Sequence, residues 1–220
     1  MSGVILLFNG SFDPVTVAHI RSVEYAYTWL KEQGIVVRHI IFSPVHEKYP
    51  YKTLTAGSRR AEMLGLAFRS SPLASLMMVD TWEIEHPEGF MPTYRLIEHL
   101  KERYQLPIYI VAGTDLLLNQ CDASVWPIEN LKRMYAHVTF LIVPRTSNGA
   151  KFSQDEVISR LHKSPFISEC FEKGRIIFLP EEVSNVSSTC VRSTSDPKQL
   201  YTLVPTAVAD YIIEYGLYSY

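Results

Sequence analysis

Six short apolar runs, each followed by a stretch of helical periodicity, set the limits on what this chain can become. The runs are Val4–Phe8, Val36–Phe42, Leu76–Val79, Ile108–Ala112, Val138–Val143 and Arg175–Leu179. Most are continuously apolar, the pattern of strands buried on both faces. Between them apolar residues step by three and four. Ile20, Val23, Tyr27 and Leu30 share one helix face, and Leu96, Ile97, Leu100 and Tyr104 share another in the stretch from Thr93. Ala56–Phe68 reads as a helix with Thr55 as its N-cap. Val208, Tyr211, Ile212 and Tyr215 form a helix that starts after Pro205 and stops before Gly216. This alternation predicts an α/β fold: a doubly wound, mainly parallel sheet with helices on both faces. In such sheets ligands bind beyond the carboxyl ends of the strands, so chemistry belongs just after each run.

The 220 residues fit one domain, 1–220, of the Rossmann-like class. Hydrophobic residues at 47% against 20% charged exclude a disordered chain. A net charge of −2 without any Lys/Arg run argues against a nucleic-acid or membrane-surface partner. The three cysteines, Cys121, Cys170 and Cys190, show no CxxC spacing, which predicts a reduced intracellular protein without disulfides or a zinc site. The N-terminus reads as a buried first strand rather than a signal peptide, and no apolar run approaches the ~20 residues that span a bilayer. Cytoplasm or nucleus is the expected compartment.

The first strand leads into Gly10-Ser11-Phe12-Asp13-Pro14-Val15-Thr16-Val17-Ala18-His19. Gly10 allows close backbone approach to a ligand, Asp13-Pro14 forces a turn, and the following helix N-terminus suits a phosphate. His19 lies one turn in, within reach of a phosphate oxygen. The residues alone equally allow an ordinary βα turn with a locally capping histidine.

Val186-Ser187-Ser188-Thr189-Cys190-Val191-Arg192 follows the last strand. Ser and Thr cap a helix start, and Arg192 one turn later can bridge two phosphate oxygens. Standing alone, this is also a capped surface helix. Val79-Asp80-Thr81-Trp82-Glu83, Gly113-Thr114-Asp115 and Val125-Trp126 come after the third and fourth runs. Trp82 and Trp126 either fill core or offer a face to a flat ring. Asp115 either caps a helix or binds ribose hydroxyls. Ser43–Lys52 is a loop over the site; Thr146–Ser153 and His162–Lys173 are polar connectors.

Together these segments resemble a known family. Gly10-Ser11-Phe12, Pro14 and His19 resemble the first signature of the HxGH nucleotidyltransferases, GxFxPxHxxH, with Thr16 replacing the first His as in the eukaryotic pyridine-nucleotide branch. Val186–Arg192 resembles the second, ISSTxxR, with Val186 for Ile. The middle segments resemble the VDTWE, GxD and xxW elements of eukaryotic nicotinamide mononucleotide adenylyltransferases, and Ser43–Lys52 resembles their SPVxDAYKKK loop. The likeness runs from Val4 to Tyr218. It implies transfer of AMP from ATP to nicotinamide or nicotinic acid mononucleotide, giving NAD or deamido-NAD and pyrophosphate.

The resemblance implies His19 and Arg192 as catalytic. It implies an ATP site of Gly10, Ser11, Phe12, His19, Gly113, Asp115, Ser188, Thr189, Cys190, Val191 and Arg192, completed by the part from about 187 to 220. It implies a pyridine mononucleotide site of Ser11, Phe12, Tyr49, Lys52, Trp82, Val125, Trp126 and Arg145. Tyr51 stands where the family has a phosphate-contacting Lys, leaving Lys48 or Lys52 for that role. Mg²⁺ is expected to arrive with ATP, and homo-oligomers are common in the family. Within the class, phosphopantetheine or FMN is the alternative acceptor; outside it, the alternative is a non-catalytic nucleotide-binding or chaperone-like module. A dehydrogenase and a P-loop enzyme are disfavoured, because GxGxxG and GxxxxGK are absent.

Overall fold

A computed structural model describes residues 3–144, 153–180 and 186–220. All six runs are strands: β1 (Val4–Gly10), β2 (Val37–Pro44), β3 (Met77–Val79), β4 (Ile108–Gly113), β5 (Val138–Val143) and β6 (Ile176–Phe178). They form one sheet in the order β3-β2-β1-β4-β5-β6. The pairs β1–β4, β2–β3, β4–β5 and β5–β6 are parallel, with Ile5 opposite Ile108, Ile40 opposite Met77, Ile110 opposite Phe140 and Leu141 opposite Ile177. The order reverses after β1, which makes the carboxyl end of β1 a place where such sheets bind ligands. β1 and β2 run past their apolar cores to Gly10 and Pro44, carrying polar residues to the strand ends.

The chain divides into two compact units. One comprises the described residues of 1–7, 26–38 and 92–185. Its helices are the part of α1 (Val17–Glu32) from Ala26 on, α3 (Thr93–Tyr104), α4 (Thr114–Asn119), α5 (Ile128–Tyr135), α6 (Gln154–Leu161) and α7 (Pro165–Glu172), while α2 (Gly57–Phe68) lies in the second unit. α3 meets α5, where the Arg133 guanidinium lies 3.9 Å from the Tyr94 ring centroid and donates to Glu98. A capping box starts α6: Ser153 Oγ accepts the Glu156 N–H at 3.2 Å and Glu156 Oε2 accepts the Ser153 N–H at 2.7 Å. The expected connector His162–Lys173 instead contains α7. Pro165 occupies its first turn, where a missing N–H costs nothing, and Ile167 and Cys170 bury one narrow face under otherwise exposed or half-buried residues. The other expected connector falls, for residues 146–152, outside the described residues.

The second unit comprises residues 8–25, 39–91 and 186–220. Into it fall the start of α1 (Val17–Glu32), all of α2 (Gly57–Phe68), and α8 (Ser188–Ser193), α9 (Pro197–Leu203) and α10 (Thr206–Glu214). Phe8, Phe12, Phe42 and Phe68 pack together at 4.9–5.8 Å between ring centroids, Phe8 on Phe12 edge to face and the other pairs tilted. α2 meets α10: the Tyr211 hydroxyl donates to Glu62 at 2.7 Å, and Arg59 lies over Tyr215. The N-cap of α2 is Ala56, without a side-chain bond, not Thr55. The buried stripe of α1 includes Ala26, and Tyr27 stays half-buried, because a wide helix face admits the smaller neighbour first. No helix among the described residues is long and apolar enough to cross a membrane.

Candidate active site

The turn after β1 is built around Phe12. Its backbone is left-handed (φ 46°), an uncommon conformation for a bulky residue, and its side chain is 2% exposed. The ring folds back over Gly10, where an added Cβ would lie 3.3 Å from it. A side chain at position 10 would therefore press on the Phe12 ring. Phe12, packed on Phe8, Phe42 and the His19 ring, can offer a ligand its backbone but not a free ring face. Half-buried Ser11 sits at the surface of this turn.

Thr16 is fully buried and aims His19. The Thr16 N–H donates to His19 Nδ1 at 2.9 Å, and Thr16 Oγ1 lies 2.8 Å from the same nitrogen. An Nδ1 that accepts an N–H leaves the hydrogen of the neutral ring on Nε2, a donor turned away from Thr16. The threonine that replaces the first signature histidine thus orients the second.

The C-terminal motif reaches this turn directly. Ser187 is the N-cap of α8, accepting the Cys190 N–H at 3.2 Å. Ser188 Oγ donates to the Pro14 carbonyl at 2.8 Å, and Arg192 donates through Nη1 to the Asp13 carbonyl at 2.6 Å and through Nη2 to Thr189 Oγ1 at 3.3 Å. The Asp13 carboxylate, 2% exposed, accepts the Tyr218 hydroxyl at 2.8 Å and the Thr55 N–H at 3.3 Å. Thr189 and Cys190 are exposed; Val191 is fully buried and has only backbone to give.

Ser43 is buried at the end of β2, and in the loop that follows Val45 and His46 are buried, whereas Lys48 and Lys52 are exposed. Tyr49 packs against Tyr51 and Phe90, and burial, then Tyr51 and Glu83, push its hydroxyl up. Trp82 is half-buried, its ring edge-on to His86 at 5.5 Å. Glu83 is 2% exposed and accepts the His46 N–H at 3.2 Å. Burial pushes its carboxyl up to about 7, against the pull of that hydrogen bond and of Arg60, with Asp80 adding to the rise. Glu83, Arg60 and Tyr218 have no place among the sequence expectations. The available signals were the last letter of VDTWE, an arginine on the apolar face of α2, and a tyrosine in the closing Gly216-Leu217-Tyr218.

The first unit carries the remaining candidates. Gly113 is the N-cap of α4, so Asp115, exposed in the first turn, is not a cap. Asp115 Oδ1 occupies the space beside Gly113, 2.5 Å from where a Cβ would be. Val125 is 39% exposed and Trp126 half-buried, its N–H bonded to the Asp122 carbonyl at 2.8 Å. Neither tryptophan is fully buried. Arg145 lies outside the described residues.

The family model for cytidylyltransferase-like proteins matches residues 7–194, which span the β1 turn and α8. The chain belongs to the cytidylyltransferase-like family. Among relatives of this cytidylyltransferase-like chain is a protein of Arabidopsis thaliana named nicotinamide/nicotinic acid mononucleotide adenylyltransferase, 28% identical over 98% of this chain and 90% of its own. A protein of the same name from Schizosaccharomyces pombe is also 28% identical, over 98% of this chain, which spans 60% of that relative's length. The solved structure of Plasmodium falciparum nicotinic acid mononucleotide adenylyltransferase complexed with NaAD shares the fold, with a TM-score of 0.69, 24% identity and coverage of 98% of this chain and 97% of the other.

Proposed function

We propose that this protein transfers AMP from ATP to nicotinamide mononucleotide, nicotinic acid mononucleotide or both, releasing pyrophosphate. One observation carries the reading: the two signature segments meet at a single turn, with Ser188 bonded to Pro14 and Arg192 to Asp13. The names of the relatives support the choice of acceptor.

The acceptor's 5′-phosphate attacks the α-phosphorus of ATP, forming a new P–O bond as the bond to the β-phosphate oxygen breaks. The attacking oxygen is already anionic near neutral pH, so no protein base is required and catalysis consists of positioning and charge stabilisation. His19 donates from Nε2 to the α-phosphate as charge builds, and the unspent N–H groups of Arg192 bind the departing phosphates. Gly10, Ser11, Phe12, Ser188, Thr189, Cys190 and Val191 contribute backbone and hydroxyl contacts to ATP. On the family likeness, Gly113 and Asp115 serve the ATP ribose. On the same likeness Trp82, Val125 and Trp126 bind the pyridine ring, with Ser11, Phe12, Tyr49, Lys52 and Arg145 on the rest of the mononucleotide.

Among the described residues no three His, Cys, Asp or Glu side chains gather into a metal site. On the family likeness, Mg²⁺ would enter on the triphosphate and would neutralise phosphate charge there. An intracellular homo-oligomer is part of the proposal on the family likeness.

The test is pyrophosphate release from ATP and Mg²⁺ with each mononucleotide in turn, the dinucleotide product being identified by mass. Release with either supports the reaction, and the ratio of rates assigns the acceptor. ATP binding without release would overturn it.

A further inference from the structure

Arg60 has the largest fully buried side chain of the described residues. It lies on the core face of α2 with Met63, Leu64, Ala67 and Phe68, which show what packing alone requires there. A guanidinium in such a place has a heavy desolvation penalty, and an apolar residue of similar size would pack at least as well. What only the guanidinium can do is satisfy several carbonyls at once. Nε donates to Thr55 O, Nη1 to Ser11 O and Nη2 to Val45 O, each at 2.7 Å.

Those three carbonyls belong to three non-regular segments. Ser11 lies in the turn that leads to His19, Val45 begins the loop bearing Tyr49 and Lys52, and Thr55 stands just before α2. Glu83 completes the arrangement. It accepts the His46 N–H, the other half of the same peptide whose carbonyl Arg60 binds, so that peptide is held at both its polar atoms. The Val45 N–H in turn donates to the Gly10 carbonyl at 3.0 Å. Asp13, Glu47, Tyr218 and Glu83 act electrostatically to hold the charge on Arg60, while Asp80 and Tyr49 join Arg60 around Glu83.

We infer that Arg60 is a positioning residue: by binding the carbonyls of Ser11, Val45 and Thr55 together, it sets where the His19 turn stands against the acceptor-side loop. The inference rests on the adenylyl-transfer reading for its catalytic consequence. A lysine has one point of charge and cannot serve three diverging carbonyls, so Arg60→Lys keeps the charge and loses the geometry.

The experiment uses the full chain and four proteins: wild type, Arg60→Lys, His19→Ala and the double variant. Expected for Arg60→Lys is a cooperative melt, a kcat lowered about tenfold or more, and an ATP KM changed less than about threefold. The ¹⁵N signal of His19 Nδ1 should move, because its bond to Thr16 is read directly there. In the His19→Ala background the same substitution should cost less than about threefold, since the group it positions is gone. Equal losses in both backgrounds with an unmoved His19 signal would leave Arg60 as a packing residue and overturn the inference. If Arg60→Lys does not fold, Glu83→Ala takes the same series. It releases the His46 N–H while leaving the arginine, and its smaller loss must likewise vanish without His19. A wild-type chain that releases no pyrophosphate sinks the reaction reading instead, and the His19 signal still decides whether Arg60 places the turn.

Discussion

Arg192 Nη1 donates to the carbonyl of Asp13 at 2.6 Å, so a guanidinium braces a backbone oxygen 179 positions earlier in the chain. The same side chain has N–H groups left for a phosphate, and only a planar fork can serve both. Arg192→Lys is expected to lower kcat/KM for pyrophosphate release about 10- to 100-fold, the equivalent of losing charge-assisted bonds of about 1.5–3 kcal/mol. Steady-state kinetics beside a thermal melt check this. Undiminished activity in the lysine variant would mean that charge alone suffices at this position.

Thr16 acts through His19. Its hydroxyl and N–H both face His19 Nδ1, and its own side chain is fully buried. His19→Ala should cost about 10²- to 10³-fold in kcat, as loss of one transition-state donor does. Thr16→Val retains the N–H and size but not the hydroxyl, and should cost about 3- to 10-fold, matching one hydrogen bond of ~0.5–1.5 kcal/mol. A Thr16→Val enzyme as impaired as His19→Ala would show that the hydroxyl does more than orient the ring.

Glu83 makes stability depend on pH in a stated direction. Its carboxyl is raised from 4.5 to about 7 in the fold, so between those values the native state holds more protons than the unfolded chain. Stability from this group is full below about pH 4.5 and is lost as pH rises through about 7. Glu83→Gln cannot ionise. Relative to wild type it should gain up to about 3 kcal/mol on going from pH 4.5 to 8, measured by urea unfolding at both pH values. A difference independent of pH would show that folding leaves the Glu83 carboxyl unshifted.

Trp82 is half-buried and packs on His86 by an edge, which leaves a ring role and a core role to be separated by experiment. Loss of a stacking face worth ~1–3 kcal/mol raises the mononucleotide KM of Trp82→Ala about 5- to 100-fold with the ATP KM unchanged. A core role would instead cost ~3–5 kcal/mol of stability. Comparing the two KM values with the unfolding midpoint decides between them.

The strands were readable because residues buried on both sides leave continuous apolar runs, and all six appear within two residues of their expected starts. The helix α7 was not, since Ile167 and Cys170 are the only residues it fully buries and that is too sparse for a periodic signal. Thr55 looked like a cap because its type favours one, yet Ala56 takes the position and the Thr55 carbonyl serves Arg60. Motif letters pointed to His19, Arg192 and Trp82 as candidates. They could not show that Arg60 and Glu83 share one peptide, because that relation joins segments far apart in sequence.

The bond from the Tyr218 hydroxyl to the Asp13 carboxylate, across 205 residues, has a consequence for how the protein is made. Synthesis produces the β1 turn well before three of its partners, on Ser188, Arg192 and Tyr218. Until those residues emerge from the ribosome, the nascent chain carries an incomplete turn whose polar groups must stay in water. Contacts of such long span make folding slow and leave apolar surface open meanwhile, so the half-made chain is the form most exposed to aggregation and most in need of a chaperone.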